Sequence, residues 1–403
     1  MNESTFLDKL LDGVDVQWLP LGEICEVKNG YTPSKSKTEL WENGTVPWFR
    51  MEDIRKNGRV LSGSIQHVTS AAVKNGKLFP ANSIIMSTTA TIGEHALITK
   101  DFLCNQQLTV LSIKESFKNI LSPKYLFYYG FKIGDLCRGS VSPVGFALVG
   151  TTKVRKFQIP IPCPENPEKS LAIQAEIVRI LDTFTELTTE LTTELTARTK
   201  QYNYYRDQLL TFEDGDVEWK ELGNVTEINT GQKPSEILES ATDFDYINAG
   251  TSRSGYSANS NCEGDIVTTP SRGQGGIGYV GYQKEPFWLG ALCYKMKSKD
   301  KDFLINKYLY YFLQSKSELL LGLKKEGGVP AVNKTDLAKL QIPVPSPSEQ
   351  ARIVAILDKF DTLTHSISEG LPREIEQRQK QYEYYRDLLL SFPKPEAQME
   401  KVA

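Results

Sequence analysis

Residues able to catalyse a reaction or bind a metal are sparse in this 403-residue sequence. Its histidines are His67, His95 and His365, and its six cysteines form no CxxC pair. Zinc sites and disulfide frameworks place such residues at short, regular spacings. The hydrolase motifs GxSxG and HExxH do not occur either. The sequence therefore points away from an enzyme and away from a metal site, and buried thiols are expected.

Two glycine-rich segments imitate nucleotide-binding loops. Segment 273–278 matches GxGxxG, but the residues after it, YVGYQKEPFW, are typical of a strand, whereas a dinucleotide site needs a helix there. Segment 145–153 has P-loop spacing, but its lysine follows the threonines instead of preceding them. The first segment is interpreted as a flexible loop, the second is not expected to bind ATP, and no cofactor is expected in this chain.

Composition bounds the class of protein. Hydrophobic residues make up 40% of the chain and charged residues 24%, which is ordinary for a folded protein of two or three domains. No apolar run of about 18 residues and no signal pattern occurs, so the chain is expected to be cytoplasmic, with no membrane partner. The formal net charge is −3, yet segments 28–77 and 295–339 each carry five more Lys and Arg than Asp and Glu. These stretches indicate either phosphate contacts or a solvated surface.

The chain contains an internal duplication. VQWLPLGEICEVKNGYTPS (16–34) matches VEWKELGNVTEINTGQKPS (217–235), and QAEIVRILDTF (174–184) matches QARIVAILDKF (350–360). Further matches join KYLFYYGF to KYLYYFLQ, KFQIPIP to KLQIPVP, and KQYNYYRDQLLTF to KQYEYYRDLLLSF. The intervening stretches, roughly 35–120 and 236–305, share little. A common frame with two different inserts suits a molecule that reads two different things with one architecture.

Short β-like runs alternate with turn residues in each half, and one helical stretch closes each, which predicts a mixed α/β or α+β domain. A long helix should follow each IPxP segment, because apolar residues recur there at spacings of three and four. The stripe positions are Ile177, Leu181, Phe184, Leu187, Leu191, Leu195, Tyr202, Tyr205 and Leu209, and in the second copy Ile353, Leu357, Phe360, Tyr382 and Tyr385.

Gly370-Leu-Pro372 should break or kink the second long helix. We expect the two long helices to pack as an antiparallel coiled coil with a pseudo-twofold repeat. The first residues, LDKLLDGVDVQW, resemble the end of a third helix copy. The predicted organisation is a first globular domain (1–160), a central helix (168–213), a second globular domain (214–345), a distal helix (347–392) and a flexible tail (393–403).

The paired QAEIVRILDTF…KQYNYYRDQLL and QARIVAILDKFDTLT…KQYEYYRDLLL segments resemble the specificity subunit of Type I restriction-modification systems. So do WLPLGEI (18–24), WKELGNV (219–225) and ELWENGTVPWF (39–49). The resemblance implies a non-catalytic subunit whose two target-recognition domains read the halves of an asymmetric, bipartite double-stranded DNA site. It also implies docking of two methyltransferase (M) subunits, which bind S-adenosylmethionine, and two restriction (R) subunits, which depend on ATP and magnesium. A two-domain scaffold for proteins instead of DNA is the alternative.

The segment TELTTELTTELT (185–196) resembles the tetrapeptide repeat of one subgroup of that family. One TTEL unit lengthens a helix by about 6 Å and turns its end by roughly 40° beyond a full turn. One base pair shifts a DNA half-site by ~3.4 Å and roughly 35°. We therefore interpret the repeat as a ruler whose unit matches one base pair in angle; tandem-repeat slippage in a helix without such a role is the alternative.

Candidate DNA contacts are polar and basic turn residues, because Arg and Gln contact base edges while Lys mostly contacts phosphate. In the first domain they are Tyr31, Thr32, Ser34, Lys35, Arg50, Ser87, Thr88, Thr89, Arg138 and Ser140, and in the second Gln232, Lys233, Ser235, Asn248, Arg253, Ser271, Arg272, Gln274, Lys324 and Lys325. A plain surface role is the alternative for each. For the helix tyrosines, including Tyr204 and Tyr384, we favour coil packing or partner docking over base stacking.

Overall fold

The computed structural model describes residues 6–141, 147–213, 215–240, 244–273, 275–325, 327–366 and 368–393. The chain divides into two compact units. The first unit comprises residues 1–189 and 377–403, and the second comprises residues 190–376. Each unit thus joins one predicted recognition domain to parts of the long helical segments. The predicted domain boundaries themselves stay predictions.

The first unit contains ten of the strands in the described residues. They are β1 (Val16–Pro20), β2 (Cys25–Asn29), β3 (Val46–Phe49), β4 (Val60–Leu61), β5 (Gln66–Val68), β6 (Ser83–Ser87), β7 (His95–Ile98), β8 (Leu103–Cys104), β9 (Leu108–Ile113) and β10 (Gln158–Pro162). A five-stranded sheet has the order β2-β9-β6-β7-β4, a three-stranded sheet has the order β5-β3-β8, and β1 pairs with β10.

The second unit repeats this plan. Its strands are β11 (Glu218–Glu221), β12 (Thr226–Thr230), β13 (Phe244–Ile247), β14 (Tyr256–Ser257), β15 (Ile266–Pro270), β16 (Gly281–Gln283), β17 (Trp288–Leu289), β18 (Cys293–Ser298) and β19 (Gln341–Val344). The sheets have the orders β12-β18-β15-β16, β14-β13-β17 and β11-β19. In both units the middle strand of the three-stranded sheet pairs in parallel with a two-residue strand, β8 or β17. The inserts therefore share a topology despite their different sequences.

Twelve α-helices lie in the described residues. They are α1 (Phe6–Leu11), α2 (Leu21–Ile24), α3 (Met51–Asn57), α4 (Pro123–Arg138), α5 (Thr151–Val154), α6 (Pro167–Leu209), α7 (Leu222–Val225), α8 (Asn306–Ser315), α9 (Ser317–Gly322), α10 (Lys334–Ala338), α11 (Pro347–His365) and α12 (Gly370–Leu389). Within the described ranges, no helix is long and apolar enough to cross a membrane. The mixed α/β class is confirmed.

The central long helix is confirmed as α6, but the distal segment 347–392 is two helices and not one. The interruption falls at the predicted glycine. Gly370 has φ +74°, and a Cβ there would overlap the carbonyl oxygen of Thr362. Only glycine accepts that backbone conformation readily, so the chain turns between α11 and α12.

The apolar stripe of α6 is buried only in part. Ile177, Leu181 and Tyr202 are buried, whereas Leu187 is 39% exposed. Aromatic stacking pairs the long helices within each unit, with Phe184 on Tyr385 and Tyr205 on Phe360. Leu191 and Leu195 are half-buried. The tetrapeptide repeat supplies one leucine per turn between threonine and glutamate, and a stripe this narrow cannot bury a whole helix face.

The amino-terminal helix belongs to the first unit's core. Leu7 and Leu11 of α1 are buried in the same cluster as Leu389, Leu390 and Phe392. Ile177 and Leu181 of α6 belong to that cluster as well. In the second unit Leu210, Ile353 and Leu357 occupy the corresponding core.

Candidate nucleic-acid interface

In the first unit, backbone hydrogen bonds gather several loops at one edge of the sheets. The amide of Tyr31 donates to the carbonyl of Cys104 at 2.7 Å, and the amide of Asn105 donates to Phe49 at 3.0 Å. The amide of Thr88 donates to the carbonyl of Gln107 at 3.3 Å, and the carbonyl of Thr88 accepts the amide of Val149 at 2.9 Å. We call this surface the first loop edge; it consists of residues 30–32, 50, 88–93, 105–107 and 147–149.

The second unit assembles the same surface with the same kind of bonds. Gln232 donates its amide to Leu289 at 3.1 Å, and Gly290 donates to Ile247 at 2.8 Å. The amide of Ser271 donates to the carbonyl of Leu292 at 2.9 Å. The second loop edge consists of residues 231–233, 248, 271–273, 275–276, 290–292 and 330–332. Bonds between backbone groups hold these loops, so their side chains are free to differ.

A duplicated glycine fixes the turn after β2 and after β12, and an indole ring bonds to each turn. A Cβ at Gly30 would overlap the carbonyl oxygen of Cys104, and one at Gly231 would overlap that of Leu289. The Trp48 Nε1–H donates to the carbonyl of the residue after Gly30 at 3.0 Å. In the second unit the Nε1–H of Trp288 donates to the carbonyl of the residue after Gly231 at 2.7 Å, although Trp288 comes from β17 and not from β13, the counterpart of β3. Close approach of two backbones explains why both repeats carry glycine here.

Five predicted residues of the first domain lie on the first loop edge: Tyr31, Thr32, Arg50, Thr88 and Thr89. The Tyr31 hydroxyl is engaged inside the unit, since it donates to Ala72 O and accepts from the Lys74 amide, both at 2.9 Å. Arg50 forms an ion pair with Glu52 at 2.7 Å. This edge brings together residues that the sequence separates widely, while their contact with DNA stays a prediction.

The remaining first-domain candidates flank the edge. Ser34 and Lys35 are exposed just beyond it. Arg138 donates to the carbonyl of Ile92 at 3.3 Å and pairs with Asp135 at 2.5 Å, which places it beside loop 88–93. The carbonyl of Ser140 accepts a hydrogen bond from Lys153.

The predicted set of DNA contacts is wrong at three positions, Ser87, Thr88 and Ser271, because all three side chains are buried. Ser87 donates its hydroxyl to the carbonyl of Thr89 at 2.7 Å, and the Thr88 hydroxyl bonds that of Thr109 at 3.0 Å. They lie at or directly after the last residue of the inner strands β6 and β15, every residue of which is buried. Their side chains are part of the fold and not of the surface.

In the second domain, Gln232, Lys233, Asn248 and Arg272 lie on the second loop edge, and Ser235 is exposed just beyond it. Gln274 falls outside the described residues. Lys325 pairs with Asp336 at 2.7 Å and bridges through its backbone to Ala331, so Lys324 and Lys325 adjoin the edge. Arg253 pairs instead with Asp245 and covers the ring of Tyr256, on the β13–β14 hairpin.

Much of the local positive charge is compensated by acids that are distant in sequence. Lys297 pairs with Glu263 at 2.9 Å, and Lys301 pairs with Asp265 at 3.0 Å. The hydrogen bond from Lys297 lowers the pKa of Glu263, so that carboxylate stays charged. The charge excess counted along the sequence therefore overstates the positive field of this region.

The exposed edge residues that sequence analysis did not select include Gln106 and Gln107 in the first unit and Leu292 in the second. All are exposed or nearly so. They belong to no motif, and only the pairing of β8 with β3 and of β17 with β13 brings their turns to the edge. The one available signal was their location between a strand end and the next strand.

In each unit, a polar junction attaches the domain to a long helix. In the first unit Lys124 and Tyr128 of α4 contact Asp182 of α6, at 2.6 and 2.7 Å. In addition, Gln174 Oε1 accepts the amide of Ser122 at 2.9 Å.

The second unit repeats the junction. Lys307 and Tyr311 of α8 contact Asp358 of α11, at 3.0 and 2.5 Å. Gln350 Oε1 accepts the amide of Ile305 at 2.9 Å. Burial, with the Asp358 hydrogen bond, raises the pKa of Tyr311 far above its ordinary value. The strongest sequence repeats are therefore the residues that fix each domain to its helix.

Two copies of one domain plan, each attached to a long helix and each ending in a different loop edge, define a protein with two recognition domains. The family model described as Type I restriction modification DNA specificity domain matches residues 13–201 and 215–377. The chain belongs to this family, and its function is DNA sequence specificity in a Type I restriction system. The alternative of a scaffold without DNA is not favoured.

Individual relatives agree. The chain is 44% identical to the EcoprrI specificity subunit of Escherichia coli, over 92% of this chain and 93% of that protein. It is 38% identical to the Escherichia coli EcoR124I/EcoR124II specificity subunit, over 98% and 99%. An S subunit structure from M. genitalium shares the fold, with a TM-score of 0.59 at 17% identity, covering 95% of this chain and 98% of that one.

Proposed function

We propose that the two loop edges read the two halves of an asymmetric, bipartite double-stranded DNA site. The observation that carries this proposal is that one backbone arrangement presents different side chains in the two units. Arg50 of the first edge corresponds to Asn248 of the second, and Thr89 corresponds to Arg272, because the same backbone bridges flank each pair. Equal frames with unequal side chains suit two dissimilar half-sites.

We further propose that the helices dock two M subunits, with R subunits completing the restriction complex. Tyr204 and Tyr384 support this, since they occupy matching places on α6 and α12 and are 58% and 65% exposed. Exposed aromatic side chains are frequent at protein interfaces. In this proposal the chain acts in the cytoplasm without a catalytic residue or cofactor of its own, and its partners bind S-adenosylmethionine, ATP and magnesium.

The experiment that tests the function uses the full chain assembled with its methyltransferase partner. Sequencing of methylated adenines on random DNA should return one motif with two dissimilar halves and a fixed gap. Exchanging loop edge residues within one unit should alter one half only. Methylation without a sequence preference, or a motif that changes in both halves at once, would contradict the proposal.

We propose that the repeat at 185–196 sets the gap between the half-sites. Deleting 188–191 removes one unit of α6, about 6 Å of helix and roughly 40° of rotation beyond a full turn. We expect both half-sites to persist while the gap shortens by one base pair. A matched variant that replaces 188–191 by four alanines keeps the helix length and should keep the gap. An unchanged gap after the deletion would refute the ruler.

A further inference from the structure

The turn between β8 and β9 presents one exposed amide on a fixed backbone. Gln107 is held on its main chain by two bonds: its carbonyl accepts the Thr88 amide at 3.3 Å, and its amide donates to Asn105 Oδ1 at 3.2 Å. Its side-chain Oε1 accepts a long hydrogen bond of 3.3 Å from Asn105 Nδ2. Its Nε2 donates no hydrogen bond to any group within the described part of the chain. The carboxamide is therefore positioned but still available.

Gln106, its neighbour, is used differently. The Thr32 hydroxyl donates to Gln106 Oε1 at 2.5 Å, which ties the turn to the loop after β2. Gln106 therefore positions the turn, while Gln107 presents its amide to solvent.

The turn between β17 and β18 places Leu292 where the first unit has Gln107. The Leu292 carbonyl accepts the amide of Ser271 at 2.9 Å, as the Gln107 carbonyl accepts that of Thr88. The Leu292 amide donates to Asn248 Oδ1 at 2.9 Å, so a side-chain amide again caps the turn. Leu292 is 37% exposed on a polar edge. The same backbone position thus carries a carboxamide in one unit and an isobutyl group in the other.

Leucine has no hydrogen-bond donor for a phosphate oxygen, so this position has no phosphate contact common to both units, and a position whose chemistry differs between the units suits the reading of bases. A glutamine amide donates and accepts at once, which matches the N6 donor and N7 acceptor of adenine in the major groove. An apolar side chain instead contacts the 5-methyl group of thymine. We propose that Gln107 reads an adenine in one half-site and that Leu292 contacts a thymine methyl in the other. This inference rests on the proposed function and adds two specificity-determining residues to it.

The first test uses Gln107→Glu in the full chain with its methyltransferase partner, on the site mapped for the natural protein. A carboxylate only accepts hydrogen bonds and therefore matches the N4 donor of cytosine. We expect one position of one half-site to change from adenine to cytosine, with a roughly ten- to hundredfold lower methylation rate on the original site. Gln17→Glu makes the same charge change at an exposed glutamine of β1, in the β1-β10 sheet that contains no edge residue, and should leave the motif unchanged.

A DNA-side test needs no variant. Placing 7-deazaadenine, which lacks the N7 acceptor, at each adenine of that half-site should weaken binding by the natural complex at one position. Indifference at every adenine, or a Gln107→Glu complex that methylates the original site at the full rate, would overturn the assignment of Gln107.

The test of Leu292 replaces each thymine of the other half-site by uracil, which lacks the methyl group. Loss of one buried methyl contact should weaken binding by the natural complex about fourfold at one position. Leu292→Ala should bind thymine and uracil equally there. Leu136→Ala, at a 43% exposed leucine of α4, should keep the preference. A natural complex indifferent to every uracil would refute the thymine contact.

The two proposals fail in different ways. If the natural complex yields no bipartite motif at all, the proposed function is wrong. If it yields such a motif but the changes at Gln107 and Leu292 leave each base preference intact, only the present inference is wrong.

Discussion

The helix junctions and the loop edges of the two units have diverged to very different degrees. Asp182 and Asp358 receive the same lysine and tyrosine contacts, and each junction uses the same glutamine. On the loop edges, by contrast, the position that Gln107 occupies in the first unit is occupied by Leu292 in the second. A junction works through its side chains, whereas the backbone bonds of an edge recur in both units whatever the side chains are, so the edge can change much of its chemistry without loss of the fold.

A buried histidine marks a second difference between the units. His95 on β7 donates from Nε2 to the carbonyl of Phe127 at 3.0 Å, and burial lowers its pKa to about 4. His95 directly precedes Ala96, and the strand pairings make Ala96 equivalent to Gly281 of the second unit. The residue equivalent to His95 is therefore Val280, which is buried. Acid should therefore act on the first unit through a group that the second unit lacks.

The largest expected effect tests whether the two cores are equivalent. Leu181→Ala and Leu357→Ala remove fully buried leucines at matching places of α6 and α11. Each should lower the free energy of unfolding by about 3 kcal/mol, because the lost burial leaves a cavity. Denaturant unfolding measures the total, and hydrogen exchange should locate each loss in its own unit. A difference of more than twofold between the variants would break the equivalence.

The next effect concerns acid stability. In the unfolded chain His95 has its ordinary pKa of about 6.5, whereas in the folded chain its pKa is about 4. Between these two pH values the unfolded chain binds a proton at His95 and the folded chain does not. The free energy of unfolding should therefore fall by about 2 kcal/mol between pH 7.5 and 5 from this group alone. His95→Val, which copies the second unit, should remove that part of the slope even if it is less stable at pH 7.5. Equal slopes for the natural protein and the variant would contradict this account.

The smallest effect compares the junctions directly. Tyr128→Phe and Tyr311→Phe each remove one hydrogen bond to a partly exposed carboxylate, which should cost about 1 kcal/mol. Chemical denaturation of both variants gives the two values. Since the junctions are alike, the values should agree within about 0.5 kcal/mol. A loss at one junction only would show that the repeat preserves sequence without preserving the role.

The sequence alone identified the duplication, the long helices and the break at Gly370. Helical periodicity and chain reversal at glycine are local properties, so a short window of residues carries them. The burial of Leu187 was overestimated, because periodicity shows which side chains share a face and not whether anything covers that face. Ser87 and Ser271 were misjudged for the same reason, since a turn-like serine at a strand end gives no sign of the sheet packed around it.

Only the tertiary structure decided which residues share an edge. Tyr31, Arg50, Thr89 and Gln107 meet because parallel and antiparallel pairings bring together strand ends that lie far apart in sequence. A single sequence encodes those pairings through the summed packing of the core, which no short motif displays. The repeats therefore told us that one domain is used twice, and the fold showed where the two copies present different chemistry.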